Sequence, residues 1–232
     1  MAVYSAPDWM QTVAEASAPL DWLTVLWRAP QLLAMPKGDG RPILLVPGYL
    51  TDGRAMFPLG HYLEYLGYQT YDWQGGLNMG FIDPEINHLT ARVHDIHERT
   101  GSGVTLVGWS LGGTFARECA KACPGIVAEV ITLGSPVVGG PKYTAAAEFY
   151  RAAYGVDLDV LEEEVARRNQ RTITQPLTLV HSKRDGIVGW HASNDPYTPH
   201  VRQIEVTCSH LGMGMSAEVW QIIAETLAHR GV

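Results

Sequence analysis

The sequence predicts one α/β domain built on a mostly parallel, six-stranded sheet with helices on both faces. Two patterns predict this fold class. Apolar segments of β type recur along the chain, near residues 42–47, 68–73, 104–109, 129–134, 177–182 and 201–207. Segments with helical spacing of apolar residues alternate with them, near residues 54–66, 85–99, 112–122 and 216–229. With 232 residues, 46% of them hydrophobic, the chain can bury one substantial core, so we expect a single domain over residues 1–232.

Residues 1–40 precede this alternation and are predicted to form an N-terminal helical extension, with helices near residues 8–16 and 20–34. Four large apolar residues recur there at helical spacing: Trp22, Leu23, Leu26 and Trp27. A helix that lies in a membrane interface requires a basic polar face, and only Arg28 is available for one. We therefore expect this apolar stripe to pack against the sheet.

Residues 139–175 form an interval that is too long for a plain connection between two strands. Its first part predicts a helix with an aromatic side, made of Tyr143, Ala147, Tyr150 and Tyr154. Its second part, residues 157–168, predicts a helix with two ion pairs at i,i+4 spacing, Glu163–Arg167 and Glu164–Arg168. We predict a small helical cap inserted after the fourth strand, above the site described next. The alternative is a solvated helical excursion whose aromatic side packs on the core.

Residues 104–113 carry the most informative motif of the chain. An apolar strand leads directly into a Gly-x-Ser-x-Gly motif at residues 108–112, and a helix-like segment follows. A serine on such a sharp strand-to-helix turn projects its hydroxyl above the sheet, and neither glycine of the motif can carry a side chain there. The helix N-terminus also directs the amide of Leu111 toward an oxyanion formed at Ser110. This context predicts that Ser110 is a nucleophile.

An acid and a histidine follow Ser110 in the chain at the positions that this geometry requires. Asp185 comes directly after the strand predicted near residues 177–182, and His210 comes after the last strand. The order serine, acid, histidine, with each residue following its own strand, is the order expected for a serine on this kind of turn. Asp195 also follows the right strand and is the alternative acid.

These motifs resemble the α/β-hydrolase superfamily, most closely its small bacterial lipase and esterase branches, over about residues 41–230. The segments that carry the resemblance are Val46-Pro47-Gly48-Tyr49, Gly108 to Gly113, Gly134-Ser135-Pro136, Ser182 to Val188 with Trp190, and Ser209-His210. The resemblance implies an α/β-hydrolase fold in which Ser110 is the nucleophile, His210 is the general base and Asp185 orients the histidine.

The resemblance also implies an oxyanion hole made of two backbone amides. The first would be the amide of Leu111, and the second the amide of Tyr49, in the turn after the first strand. Many relatives carry His-Gly at that turn, whereas this chain has Pro47-Gly48. This departure leaves both Tyr49 and Leu50 open as the second donor.

The activity implied is the hydrolysis of carboxylic esters with short to medium apolar acyl chains, through an acyl-enzyme and without a metal or cofactor. The residues predicted to line the substrate pocket are Trp109, Asn78, Met213, Tyr150 and Tyr154. An acyltransferase would use the same triad and is the alternative. A non-catalytic binding protein on the hydrolase fold is less favoured, because all three triad residues are present.

Composition excludes several other classes of function. The net charge of −7 argues against a nucleic-acid partner, which requires a cationic surface, so a small-molecule ester is the expected partner. No segment approaches the apolar length that spans a bilayer, and residues 1–17 lack the features of a secretion signal, so we expect a cytoplasmic protein. The histidines at 88, 94 and 97 lack the cysteine or carboxylate that would complete a metal site. Cys119, Cys123 and Cys208 are expected to be small core residues. The pattern indicates no particular oligomeric state.

Overall fold

Six strands form one sheet in a computed structural model that describes residues 4–229. The strands are β1 (Pro42–Val46), β2 (Gln69–Asp72), β3 (Val104–Trp109), β4 (Val127–Leu133), β5 (Leu177–Ser182) and β6 (Arg202–Val206). Their order in the sheet is β2-β1-β3-β4-β5-β6, and every pairing between neighbouring strands is parallel. The predicted fold class is therefore confirmed. Residues 1–3, the start of the predicted extension, and residues 230–232 lie outside the described residues.

Helices precede the sheet and connect its strands. They are α1 (Trp9–Ala14), α2 (Ala18–Trp27), α3 (Ala29–Leu33), α4 (Phe57–Leu66), α5 (Ile82–Thr100), α6 (Leu111–Ala122), α7 (Ala147–Tyr154), α8 (Leu158–Asn169) and α9 (Ala217–Ala228). Short 3-10 helices lie at Glu15–Ser17, Gly53–Met56, Gly140–Tyr143 and Met213–Met215. No helix in the described part of the chain is long and apolar enough to cross a membrane.

The central strands are buried on both faces because a layer of helices covers each face. In β1, Ile43 and Leu45 contact the apolar cluster that includes α4 and α9, whereas Leu44 and Val46 contact the cluster that includes α5 and α6. Successive side chains of a strand point to opposite faces, so a strand covered on both sides is continuously apolar. This explains why the central strands carry apolar runs, while the edge strand β6 is largely exposed.

The N-terminal helices depart from two predictions. The helix predicted near residues 20–34 is two helices, α2 and α3, and Pro30, which lacks an N–H, stands in the first turn of α3. The predicted packing of the apolar stripe on the sheet is wrong, since all four of its residues are exposed: Trp22 by 40%, Leu23 by 48%, Leu26 by 72% and Trp27 by 84%. The helix instead turns Val25 toward the core and Thr24 toward α9, where Thr24 Oγ1 accepts a 3.0 Å hydrogen bond from the amide of Ala217.

The inserted segment contains the two predicted helices, α7 and α8, but its aromatic residues do not share one helix. Tyr143 lies in the preceding 3-10 helix, and the chain becomes extended at Thr144 before α7 begins. The Tyr143 hydroxyl therefore points to α8, where it donates to Glu162. The predicted Glu164–Arg168 pair is confirmed at 2.8 Å. Arg167, which was predicted to pair with Glu163, pairs with Glu164 as well.

Candidate active site

Ser110 occupies a strained turn between β3 and α6. Its backbone has φ 55° and ψ −125°, in a region that residues other than glycine rarely adopt. The turn is held to β4 by a 2.7 Å hydrogen bond from the Ser110 amide to the carbonyl of Leu133. A Cβ at Gly108 would stand 2.5 Å from the backbone of Gly113, so only glycine fits there. Because strain persists only where the surroundings impose it, the local packing holds the serine in this geometry.

His210 and Asp185 form a buried pair on the loops that follow β6 and β5. His210 Nδ1 lies 2.7 Å from Asp185 Oδ2, and both side chains are almost wholly buried. The other carboxylate oxygen, Oδ1, accepts hydrogen bonds from the amides of Ile187 and Val188, at 2.9 and 2.7 Å. One oxygen is thus fixed by its own loop and the other is left for the histidine. If Nδ1 carries the proton, Nε2 is the basic nitrogen of the ring.

The pKa of His210 is the net result of opposing influences. Burial, the largest of them, disfavours the charged imidazolium and lowers the pKa. The charge of Asp185, its hydrogen bond to the ring and the charge of Glu15 act in the opposite direction. Together they outweigh burial and raise the pKa of His210 above its ordinary value.

The alternative acid, Asp195, lies in a different environment. It forms a buried ion pair with Arg117 of α6, at 2.8 Å, and accepts hydrogen bonds from the amides of Tyr197 and Thr198. Burial raises the pKa of Asp195, but the Arg117 charge and these hydrogen bonds lower it by more. Asp185, and not Asp195, is the acid brought against His210.

Trp109 and Met213 lie behind the histidine and not in an open pocket. Trp109 Nε1 donates a 3.2 Å hydrogen bond to the carbonyl of His210, and the two rings are 6.0 Å apart. Met213 is fully buried in the core. A Cβ on Gly134 would stand 2.9 Å from Met213 Sδ and 3.0 Å from both Asp185 Oδ2 and His210 Nδ1. The prediction that these two residues line the pocket is therefore corrected: they pack beneath the Asp185–His210 pair because the strand ends are too closely packed to leave space there.

The turn after β1 favours one of the two amides left open for the oxyanion hole. Gly48 lies against Ser110, since a Cβ on it would be 3.2 Å from the Cβ of Ser110. The amide of Leu50 donates a 2.8 Å hydrogen bond to the carbonyl of Asn78 and is thus already engaged. The amide of Tyr49, directly after Gly48, is then the better candidate, together with that of Leu111 at the start of α6.

Asn78 supports this turn and is corrected as a predicted pocket residue. It is 0% exposed. Its Nδ2 donates to the carbonyl of Pro47 at 2.9 Å, and its Oδ1 accepts from the amide of Gly80 at 3.1 Å. With both ends of the side-chain amide engaged inside the protein, Asn78 links the loop after β2 to the turn after β1.

An apolar cavity of about 70 Å³ opens beside Ser110. Its walls include Tyr49, Leu111 and Tyr150, so α7 contributes to the site. The Tyr150 hydroxyl donates to the carbonyl of Gly80 at 3.0 Å, which fixes the ring. Tyr154 supports this wall: its hydroxyl lies 3.0 Å from that of Tyr49, and its ring centroid is 4.6 Å from that of Tyr150. Burial and the bond with Tyr154 raise the pKa of Tyr49, so this hydroxyl remains protonated at neutral pH.

Solved structures provide a comparison for this arrangement, whereas no protein-family model and no curated protein sequence matches the chain. The mouse alpha/beta hydrolase domain-containing protein 10 superimposes with a TM-score of 0.55 at 19% identity, over 84% of this chain and 90% of that chain. The chain has the α/β-hydrolase fold. A structure from the work on LipS and LipT, two metagenome-derived lipolytic enzymes, superimposes with a TM-score of 0.62 at 14% identity, over 85% of this chain and 96% of that chain. Naproxen esterase from Bacillus subtilis superimposes with a TM-score of 0.57 at 13% identity, over 93% of this chain and 98% of that chain.

The N-terminal segment adds two carboxylates to the loops of this hydrolase fold, which the sequence did not predict. Glu15 Oε1 accepts hydrogen bonds from the amides of Gly186, at 2.7 Å, and His210, at 2.9 Å, and Oε2 accepts from Leu211 at 2.8 Å. Asp21 Oδ2 accepts from both the amide and the hydroxyl of Ser209, at 2.9 and 2.7 Å. The one signal in the sequence is that each acid interrupts an otherwise apolar helical stretch.

The histidines at positions 88, 94 and 97 are engaged separately. His88 Nε2 lies 2.8 Å from the carbonyl of Trp73, and His97 Nδ1 lies 2.8 Å from that of Ser102. His94 Nε2 lies 3.7 Å from Cys123 Sγ. Within residues 4–229, no three metal-binding side chains are brought together. The three cysteines are buried, as predicted.

Proposed function

We propose that this chain is a serine hydrolase that cleaves carboxylic esters with short to medium apolar acyl groups. The observation that carries the proposal is the combination of Ser110 on its strained turn, the Asp185–His210 pair on the neighbouring strand ends and an apolar cavity beside the serine. A nucleophile, a base oriented by an acid and two amides at an oxyanion position are the parts that acyl transfer requires. The lipolytic and esterase relatives of the fold support the same reaction class.

In the proposed mechanism, His210 Nε2 takes the proton of the Ser110 hydroxyl as the oxygen attacks the ester carbonyl. Asp185 holds the imidazole in the required tautomer and stabilises its charged form. The amides of Leu111 and Tyr49 stabilise the oxyanion, each donor being worth about 2.7–4 kcal/mol. His210 then protonates the leaving alcohol, and water attacks the acyl-enzyme in the same way.

Residues 139–175 serve as the cap of this proposed site, and residues 1–40 as an extension of the single hydrolase domain. The cap assignment is supported by Ala146 and Tyr150, which line the cavity beside Ser110. It is also supported by the hydrogen bonds of Tyr150 and Tyr154 to the carbonyls of Gly80 and Met79 in the loop after β2. These contacts are those expected of a cap at the mouth of the proposed site.

Hydrolysis of p-nitrophenyl esters of graded chain length tests the proposal. We expect turnover by the wild type and a loss of several orders of magnitude in Ser110→Ala, with an unchanged melting temperature. Product that forms only when an alcohol acceptor is added would indicate the acyltransferase. No product with either water or an alcohol would contradict both, and would favour a binding protein on this fold.

The pH profile provides a separate check. Acylation requires neutral His210, so kcat/KM is low at acid pH and rises as pH increases through the pKa of this residue. Because the pKa of His210 is raised, we expect the midpoint above the ordinary 6.5. A midpoint well below that value would contradict the account of the histidine's surroundings.

A further inference from the structure

A second cavity, of about 170 Å³, adjoins the one beside Ser110, and the mechanism above does not use it. It lies between α6 and α8. Four residues line both cavities, Ile82, Leu111, Pro136 and Pro141. The two cavities are therefore neighbours with shared walls, and two of the shared residues, Leu111 and Ile82, are only partly buried.

The walls of the larger cavity are mostly apolar and carry little unpaired charge. Val137, Leu161 and Val165 complete its apolar surface. Each of its charged side chains is in an ion pair: Arg117 with Asp195, Glu118 with Lys121, and Arg168 with Asp83 and with Glu164, which also lines the cavity. The amide of Asn169 donates to the carbonyl of Val137. A concave, mostly apolar space whose charged side chains are already paired favours an uncharged hydrocarbon ligand.

The geometry points to this cavity as the pocket for the acyl chain, which would run from Ser110 past Leu111 and Ile82 to lie between α6 and α8. This inference rests on the proposed ester hydrolysis. An apolar cavity of about 150 Å³ accommodates benzene, which has six carbon atoms. Together with the smaller space beside Ser110, the cavity favours acyl groups of about six to eight carbons.

The test compares two substitutions of the same kind on α8. Val165→Phe fills the cavity, whereas Val160→Phe is the control, because Val160 is 63% exposed on the same helix. We expect the ratio of kcat/KM for the octanoate to that for the acetate p-nitrophenyl ester to fall about 10-fold or more in Val165→Phe, since excluding two methylene groups from burial is worth roughly that factor. The ratio in Val160→Phe should equal that of the wild type.

Thr114→Leu is a second variant, for the case in which Val165→Phe does not fold. Thr114 lines the cavity from α6, and its hydroxyl has no hydrogen-bond partner within the described residues, so the change adds apolar volume without removing a bond. A fall in the same ratio supports the pocket. An unchanged ratio in folded variants that still hydrolyse acetate would overturn it and leave the proposed function standing. Absence of any esterase activity in the wild type would overturn both.

A separate observation concerns Glu15, whose buried carboxylate links the two loops of the catalytic pair. It accepts hydrogen bonds from the amide of Gly186, next to Asp185, and from the amides of His210 and Leu211. The chain around it leaves no space: a Cβ on Gly186 would be 2.2 Å from the carbonyl oxygen of Gln11. Thr12 Oγ1 also donates to the carbonyl of Gly186 at 2.8 Å. We infer that Glu15 is a positioning residue, which acts on the reaction by fixing Asp185 and His210 relative to each other.

Three carboxylates surround His210 in the described residues. Asp185 contacts the ring from the loop after β5, Glu15 contacts its backbone from the N-terminal segment, and Asp21 reaches the preceding Ser209. Glu15→Gln keeps the size of the side chain, removes the charge and leaves one amide without an acceptor. We expect kcat to fall about 10- to 100-fold, since small misplacements of catalytic groups cost factors of this size, with an unchanged KM.

The pH profile distinguishes positioning from a merely structural role. Removing the charge of Glu15 lowers the pKa of His210, so the acid limb of kcat/KM should move to lower pH in Glu15→Gln. Glu15→Asp keeps the charge but has a shorter side chain. Its kcat should therefore fall, while the acid limb of its kcat/KM profile stays closer to that of the wild type. Glu98→Gln, at an exposed position of α5, is the control and should change neither. A lower melting temperature with wild-type kcat and pH profile would overturn the inference.

Discussion

Two regions outside the sheet meet at the same site but contact it in different ways. The N-terminal segment, residues 9–33, reaches the loops after β5 and β6 through the carboxylates of Glu15 and Asp21, which accept hydrogen bonds from backbone amides. The insertion, residues 139–175, reaches the space around Ser110 through Tyr150 and apolar side chains. The N-terminal segment thus contacts the catalytic loops through side-chain carboxylates. The insertion forms the walls of the cavities, and its backbone also pairs with the loop after β5, where the amide of Ala145 donates to the carbonyl of Ile187 at 2.7 Å.

This difference has an energetic basis. Hydrogen bonds to a charged group contribute about 1.5–3 kcal/mol and depend on direction, so they fix the positions of the atoms they join. Apolar walls act through excluded volume and area, which depend on shape and tolerate exchange of one apolar residue for another. Changes to the two carboxylates of the N-terminal segment should therefore affect the rate, and changes to the cavity-lining side chains of the insertion should affect the choice of substrate.

The largest effect is expected at the catalytic pair that both regions adjoin. Asp185→Asn should lower kcat about 10⁴-fold, because an amide at this position favours the wrong tautomer of His210. Asp195→Asn is the matched control. It breaks a buried ion pair with Arg117, so it should lower the melting temperature far more than it lowers kcat. A silent Asp185→Asn beside an inactive, folded Asp195→Asn would reverse the assignment of the acid.

An intermediate effect is expected in the insertion. Tyr150→Ala enlarges the cavity beside Ser110, so the ratio of kcat/KM for a bulky benzoate ester to that for acetate should rise about tenfold. Phe149→Ala, at the exposed neighbour in α7, should leave the ratio unchanged. If Tyr150→Ala instead lowered kcat/KM for all esters equally, the insertion would act on the catalytic groups, and the contrast between the two regions would be wrong.

The smallest effect is expected on the outer face of the N-terminal segment. Trp27→Ala should change the free energy of unfolding, measured in urea, by less than about 0.5 kcal/mol, because the side chain is almost wholly exposed. Trp73→Ala, at a fully buried tryptophan, should cost about 3–5 kcal/mol. A large loss from Trp27→Ala would mean that the segment is held by its apolar face as well as by its carboxylates.

The sequence predicted the sheet and the catalytic order because both depend on local patterns. The central strands β3 and β5 are buried, largely apolar runs; Ser110 follows β3 directly, and Asp185 lies on the loop after β5. His210 lies on the loop after the exposed edge strand β6. Parallel strands end at the same edge of the sheet, so residues far apart in the chain become neighbours once the strand order is right. The contact between Asp185 and His210 follows from this reasoning.

The remaining features depend on contacts that leave no local pattern. Glu15 lies 195 residues before His210 in the chain, and an acid in a helix is most often solvated. Asn78 follows a strand, as a pocket residue would, but the carbonyl of Pro47 and the amide of Gly80 take both ends of its side chain. The exposure of Trp27 was missed because helical spacing identifies an apolar face without identifying what covers it.

Covalent labelling with a fluorophosphonate, followed by peptide mass spectrometry, tests the central claim most directly, because it requires the nucleophile, base and oxyanion donors to act together. The account predicts one adduct, on the peptide that contains Ser110, with labelling lost in Ser110→Ala and strongly slowed in Asp185→Asn. It also predicts that labelling slows at acid pH as His210 becomes protonated. An adduct on another serine, or a folded wild-type protein that is not labelled at any pH, would contradict it.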